Sequence, residues 1–306
     1  MIELKTCPIC SSPGVAKAYT GRTTRQPTDS ATWDLWRCKN CDHGFVNPQP
    51  DWKDLDKYYS ASYDPYSPDH GLHSDLSTMV ANARAKGEYR HVRIRPGLRV
   101  LDVGCGGGSF LRVIKELGAM VFGVEPSQDA TEVARKQGLD VFHGTLEGFF
   151  GNGHAGDRFD LITFSQVAEH LPDPVSTLST ATRFLAPGGT VWVSVPNGAC
   201  DAARQLGWRW HSTDLPIHLH HFSLKSIKIA AERAGLAPER VYTFSLPSSV
   251  RGSILTELRS RWMIPARVAT AMLSDARVER RATEQDAKAA GEAIIAELHL
   301  PVPAPA

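Results

Sequence analysis

Between residues 96 and 200, short apolar runs alternate with amphipathic helical stretches, and this alternation limits the fold more than any other feature of the 306-residue chain. Arg99-Val100-Leu101-Asp102-Val103 reads as a strand that runs into Gly104-Cys105-Gly106-Gly107-Gly108. Ser109 is placed to cap a helix in which Phe110, Val113, Ile114 and Leu117 recur at helical spacing, and Gly118 to close it. A second strand, Val121 to Val124, ends at Glu125; Ser127 opens another helix, closed by Gly138. Val141-Phe142 reads as a third strand and Leu161 to Phe164 as a fourth. The helix after Pro174 carries Leu178, Ala181 and Leu185, and Pro187-Gly188-Gly189 turns into a strand over Thr190 to Val195. Strands separated by helices of this length predict an α/β fold with a parallel, doubly wound, Rossmann-like sheet.

Beyond this region a helix from Ser223 to Gly235 and a strand near Val241 to Phe244 extend the sheet. Residues 248–290 read as helical throughout, and Gly291 to Leu298 as one more strand. The competing assignment continues the helix over 286–298, because Ala and Glu favour helix. Upstream, residues 51–95 hold an aromatic cluster (Trp52, Tyr58, Tyr59, Tyr63, Tyr66) and then a polar helical pattern from Met79 to Val92. The expected organisation is a cysteine-rich module over 1–50 ending in Asn47-Pro48-Gln49-Pro50, a helical and aromatic linker and cap over 51–95, a core over 96–247, a helical insertion over 248–290, a last core strand over 291–300 and a tail over 301–306.

Lys+Arg of 34 against Asp+Glu of 33 leaves almost no net charge, which argues against a nucleic-acid partner. The N-terminus has no apolar signal region, and no stretch approaches the roughly 18 apolar residues of a membrane span. A cytoplasmic protein without a membrane partner is expected, and a homodimer is compatible with the sequence.

In the Gly-rich turn, backbone N–H groups and a helix N-terminus stand where a cofactor can approach without Cβ interference. The dinucleotide fingerprint G-x-G-x-x-G fails, because its third glycine position is Ser109. Asp102 and Glu125, each at a strand end, suit a cofactor with cationic or hydroxylic groups and no phosphate. Glu125, about 20 residues beyond the loop, is placed to accept from both ribose hydroxyls.

The segment Val100 to Gly108 resembles motif I of class I S-adenosylmethionine-dependent methyltransferases. Phe159 to Leu171, with Ser165-Gln166-Val167-Ala168-Glu169-His170, resembles their fourth-strand motif, and Leu185-Ala186-Pro187-Gly188-Gly189 the turn before their fifth strand. The likeness covers roughly 96–245. It implies that Gly104, Cys105, Gly106 and Gly108 lie against the methionine portion of the cofactor, with Asp102 supporting that loop. It further implies that Glu125 and Pro126 lie at the ribose, Thr145-Leu146-Glu147 near the adenine, and Ser165 and Gln166 beside the methyl group and its acceptor.

Of six cysteines, four form the pairs Cys7-Pro8-Ile9-Cys10 and Cys38-Lys39-Asn40-Cys41. Two such turns can present four thiolates to one tetrahedral, closed, structural Zn²⁺. The rival thioredoxin-like assignment is weaker, since neither pair opens a helix after a strand. His43 is read as an ordinary loop histidine rather than a substitute ligand, and Cys105 and Cys200 as small apolar fillers. A head of this form, followed by Phe45-Val46-Asn47-Pro48 and Tyr58-Tyr59, resembles methyltransferases with an N-terminal zinc ribbon, some of which modify sugars or secondary-metabolite precursors.

Methyl transfer is an in-line displacement in which the protein aligns the reactants and can remove a proton from the nucleophile. Candidate bases are His170, His221 and His218, the last two in His218-Leu219-His220-His221-Phe222. Trp208 and Trp210 wall an acceptor pocket or pack the insertion, and Tyr59 and Tyr63 either close over the cofactor or belong to the core. The expected function is S-adenosylmethionine-dependent methyl transfer to a small-molecule acceptor, at oxygen before carbon or nitrogen. The rivals are a catalytically silent zinc-ribbon protein and a nucleic-acid methyltransferase. The latter would be expected to carry an Asn-Pro-Pro-Tyr-type motif where this chain has Ser165-Gln166-Val167-Ala168.

Overall fold

The apolar runs become strands because helices cover both of their faces. In the computed structural model, which describes residues 1–23, 29–59, 64–69, 75–260 and 262–301, the chain begins with β1 (Val15–Arg22), β2 (Thr32–Cys38) and β3 (Gly44–Val46). One helical turn, α1 (Trp52–Leu55), the helix α2 (Leu76–Lys86) and a hairpin of β4 (Glu88–Tyr89) and β5 (Val92–Arg93) follow. The alternating region gives β6 (Arg99–Val103), α3 (Ser109–Glu116), β7 (Met120–Glu125), α4 (Gln128–Lys136) and β8 (Val141–His143). It continues through α5 (Leu146–Phe149), β9 (Phe159–Ser165), α6 (Pro174–Thr182) and β10 (Leu185–Pro196). Then come α7 (Asp201–Leu206), the two-residue strand β11 (His220–His221), α8 (Leu224–Arg233) and β12 (Ala237–Phe244). Three helices, α9 (Pro247–Ser260), α10 (Ala266–Ala271) and α11 (Asp275–Ala287), precede β13 (Ala293–His299).

Seven strands form the central sheet in the order β12-β13-β10-β9-β6-β7-β8. The pairs from β10 to β8 are parallel, whereas β13 runs antiparallel to both β10 and β12. This is the doubly wound α/β sheet expected from the alternation. Strand order reverses between β6 and β9, so the crevice at their carboxyl ends is where such sheets hold ligands. The chain's own signals fix the helices: Ser127 caps α4, Asp173 with Pro174 starts α6, and Ser223 and Ser226 form a capping box on α8. Ser109 is not a cap; it is the first residue of α3, and Gly108 precedes it in a left-handed conformation.

Residues 288–299 leave the helix despite their Ala and Glu content. Ile294, Ile295, Ala296 and Leu298 are buried between β10 and β12, and the sheet pairing outweighs helix propensity. The helical stretch before it is broken twice, around Pro265 and Ser274, and its three helices share a small core of Val250, Ile254, Leu258, Ala269, Leu273 and Val278. The helical pattern expected from Met79 to Val92 stops at Lys86, where Gly87 adopts φ 68° and the chain turns into the β4–β5 hairpin.

A second sheet, β1-β2-β3-β11, joins the cysteine-bearing N-terminus to the segment after β10. Cys7, Ile9, Cys38 and Cys41 belong to the same buried cluster as Phe222, Ile227 and Ala230. The N-terminal fold is therefore completed by residues 220–221, from within the span 96–247. Among the described residues no helix is long and apolar enough to cross a membrane. Tyr63 and most of the expected tail (residues 302–306) lie outside the described residues.

Candidate cofactor and acceptor cavity

A cavity of about 1100 Å³ opens at the carboxyl ends of β6, β7, β8 and β9. At β6, Asp102, Gly104, Cys105 and Gly106 line it. Gly104, Gly106 and Gly108 adopt φ of 70°, 54° and 84°, which side chains other than glycine's rarely tolerate. Their further requirement comes from the protein. A Cβ on Gly106 would stand 2.4 Å from the carbonyl oxygen of Pro65, and Gly107 N donates to that oxygen at 3.1 Å. Pro65, Tyr66 and Ser67 thus form a strap across the Gly-rich turn, held by Arg112, which donates to the Pro68 carbonyl at 2.8 Å. Gly108 does not line the cavity. A Cβ there would come within 2.2 Å of Leu139 and 3.3 Å of Ala134, so this glycine, unlike Gly104 and Gly106, serves the packing of α3 against α4.

Glu125, at the end of β7, takes the supporting role expected of Asp102. Its Oε2 accepts from Gly106 N at 2.9 Å and its Oε1 from Ser127 N at 2.8 Å. Each oxygen keeps a further lone pair for a hydroxyl. Asp102 instead accepts from the Thr163 hydroxyl at 2.6 Å, and burial pushes its carboxyl up to about 7. Pro126, Thr145, Leu146 and Glu147 form the wall beyond Glu125. Thr145 caps α5, and Glu147 accepts from the Thr177 hydroxyl at 2.9 Å. Ser165 and Gln166 lie at the end of β9, where Gln166 has φ 58° and its amide donates to Ser194 Oγ at 3.1 Å.

His170 and His218 face each other at the far end, with ring centroids 4.6 Å apart and planes at 81°. Nδ1 of His170 is 3.0 Å from the Ile217 carbonyl oxygen, and Nδ1 of His218 is 2.9 Å from that of Ser212. Carbonyls only accept, so each Nδ1 carries a hydrogen, and Nε2 of His218 lies 3.8 Å from Asp214 Oδ2. The Tyr59 hydroxyl lies 3.0 Å from the same His170 Nδ1; Tyr59 lines the cavity and also packs against the buried cluster of Leu55, Tyr58, Ile217 and Leu219. Beside the two rings is Glu169, fully buried, whose two carboxylate oxygens have no hydrogen-bond partner among the described residues. Desolvation pushes it up to about 8. Single ligand atoms of Glu169, His170 and His218 lie within 4.8 Å of one another.

His221 is not part of this wall. It pairs with Gly44 across β3 and β11, stands behind His218 with ring centroids 6.4 Å apart, and is buried. Burial drives its pKa well below the usual histidine range, and His221, nominated as a base beside His170 and His218, stands outside the wall that those two share. Trp210 is completely buried and donates to Ser253 Oγ at 3.2 Å, while Trp208 lines a separate surface cavity with Arg209 and Arg259. Neither walls the main cavity. Arg90, His211, Ser212 and Asp214 do line it and went unnoticed in the sequence. They sit in a hairpin turn and an irregular stretch, where no periodicity marks a side chain's direction.

Sγ atoms of Cys7 and Cys41 are 3.6 Å apart and those of Cys10 and Cys38 3.5 Å, and all six cysteines carry free thiols. Four thiolates at about 2.3 Å from one tetrahedral metal stand about 3.8 Å from one another, so the cluster fits such an ion. His43 is excluded from it: fully buried, its Nε2 lies 3.0 Å from His220 Nδ1. The lone Cys200 is buried and accepts from Ala203 N at the start of α7.

A family model described as a methyltransferase domain matches residues 70–241. A ubiquinone biosynthesis O-methyltransferase of Aromatoleum aromaticum is 40% identical over 107 residues, 33% of this chain and 45% of that protein. The protein of the same name from Xanthomonas axonopodis is 32% identical over 165 residues, 50% of this chain and 69% of that protein. The chain therefore spans about half the length of the first of these relatives. Among solved structures, it superposes on a chain from the complex between the Haloferax volcanii Trm112 methyltransferase activator and a methyltransferase. There the TM-score is 0.52 at 19% identity, over 82% of this chain and 97% of that one, a likeness of fold.

Proposed function

The chain belongs to the methyltransferase domain family, and we propose that it transfers a methyl group from S-adenosylmethionine to a hydroxyl of a small molecule. The observation that carries this reading is the placement of His170 in the cavity wall beyond the end of β9, its Nδ1–H oriented by the Ile217 carbonyl. The O-methyltransferase names of the relatives support oxygen as the target. The wall formed by Tyr59, His170, His211, Ser212, Asp214 and His218 is rich in hydrogen-bonding groups. It suits a hydroxylated ring such as a sugar or a secondary-metabolite precursor.

When bound, the cofactor supplies an electrophilic methyl group on a sulfonium. Gly104, Cys105 and Gly106 would hold its methionine part, Glu125 and Pro126 its ribose, Thr145, Leu146 and Glu147 its adenine, with Ser165 and Gln166 beside the methyl. Glu125 suits the ribose because the lone pairs not used by Gly106 and Ser127 remain for two hydroxyls. His170 takes the proton of the acceptor hydroxyl on Nε2, and the imidazolium so formed keeps its Nδ1–H on Ile217. His218, held in the same tautomer by Ser212, orients the acceptor from the opposite side. The four thiolates would bind a structural Zn²⁺ that closes the N-terminal fold and does no chemistry.

Radiolabelled methyl transfer to a panel of catechols and hydroxylated glycosides tests the reading. Label in product with wild-type protein, lost in His170→Ala, supports it. No label with any member, or label retained in full by His170→Ala, overturns it.

A further inference from the structure

Four cavity-wall residues, His211, Ser212, Asp214 and His218, lie on the excursion between β10 and β11, which has only short helical turns to hold its shape. Its anchor is outside the cavity. We infer that Glu292, at the start of β13, is the positioning residue that fixes this acceptor wall, and that the helices between β12 and β13 act on the acceptor site through it. The inference rests on reading the cavity as the acceptor site.

Glu292 grips the excursion at two points. Its main-chain carbonyl accepts from Asn197 N at 2.9 Å, where the chain leaves β10, and the neighbouring Gly291 carbonyl accepts from the Asn197 side chain at 2.8 Å. Its carboxylate reaches the middle: Oε2 accepts from the Trp210 indole N–H at 3.4 Å and from Ser253 Oγ at 2.8 Å. The same indole N–H is 3.2 Å from Ser253 Oγ, so tryptophan, serine and carboxylate form one short relay. Oε1 accepts from Gln285 at 3.4 Å. Ser253 is on α9 and Gln285 on α11, so two helices and the excursion converge on one carboxylate.

The next residue after Trp210 is the cavity residue His211, whose ring lies against α9 at Gly252, where a Cβ would make an ordinary 3.5 Å contact with it. Gly291 is constrained by its neighbour, since a Cβ on it would fall 2.5 Å from the backbone of Phe244. A buried carboxylate with neutral partners contributes little net stability compared with an apolar side chain of the same size. What it provides is direction: three donors from three elements are held to one point.

Hydrogen exchange on the full chain tests this without any acceptor. In Glu292→Leu and in Ser253→Ala, which removes only the hydroxyl that bridges Trp210 and Glu292, amides of 208–218 exchange about tenfold faster or more, as expected when a local anchor is lost. Amides of 99–125 and the affinity for S-adenosylhomocysteine stay within about twofold of wild type, and Glu292→Gln restores slow exchange. Unchanged exchange over 208–218 in both variants, or equal acceleration over 99–125, overturns the inference. If Glu292→Leu fails to fold, Ser253→Ala alone decides. None of these readouts depends on methyl transfer, so their failure is distinct from failure of the proposed activity. With an acceptor in hand, its KM rises in Glu292→Leu while the cofactor Kd does not.

Discussion

The imidazole of His170 and that of His218 meet edge to face at 4.6 Å, each anchored through Nδ1 to a main-chain carbonyl of the stretch 212–217. One segment therefore sets the tautomer of both rings, although His170 itself follows β9 and lies far from that segment in sequence.

With an active acceptor, His170→Ala is expected to lower kcat by about 10²–10⁴-fold while leaving cofactor affinity unchanged, the usual range for loss of a general base. His218→Ala is expected to act mainly on acceptor KM. His221→Ala is expected to act on folding and not selectively on turnover, because it is buried behind His218 on β11, opposite Gly44. Steady-state kinetics with each variant separates these cases.

Glu169 predicts a pH dependence of stability. Its carboxyl is pushed up to about 8 in the fold by burial, against about 4.3 in an unfolded chain. The native state thus prefers the protonated acid. The stability it contributes is complete below about pH 4.3 and is lost as pH rises through about 8. Glu169→Gln removes that loss, so chemical denaturation should show the variant gaining on wild type between about pH 5 and pH 8, and no further above it. Parallel curves across that range would contradict the burial argument.

Purified protein should hold about one zinc per chain, and Cys38→Ser should unfold at lower temperature, because a structural zinc contributes folding free energy directly. Since Ser223 Oγ donates to the Cys41 carbonyl at 2.7 Å and Arg233 to that of Ile9, the loss should also loosen α8. Metal analysis of protein never exposed to chelators checks the first part, and thermal melts the second.

Gly108→Ala should destabilise the fold by about 1–3 kcal/mol or more, from the left-handed backbone and the clash with Leu139. The residual folded protein should bind cofactor normally. A selective loss of cofactor affinity with an unchanged melting temperature would return this glycine to the cofactor site.

What the sequence made legible was whatever repeats or caps. The strands β6 to β10, the caps at Ser127 and Ser223 and the two cysteine pairs are local patterns with local causes. Glu125 was legible as a site residue because a strand end fixes its position, but its bonds to Gly106 and Ser127 required the fold. The strap at Pro65–Ser67, the pairing of His220–His221 with the N-terminal sheet and the wall at His211–Asp214 have no periodicity. Their directions are set by contacts distant in sequence. Three histidines in four residues could not be ranked until β11 turned His221 away from the cavity and left His218 in it.

Calorimetric titration with S-adenosylmethionine tests the central claim most directly. Wild-type protein should bind one equivalent, and Glu125→Ala, if still folded by circular dichroism, should bind more weakly by roughly 2–4 kcal/mol, the scale of lost charge-assisted bonds to two hydroxyls and of the loosened Gly106 turn. No binding by the wild type, or equal affinity in the variant, would contradict the placement of the cofactor in this cavity.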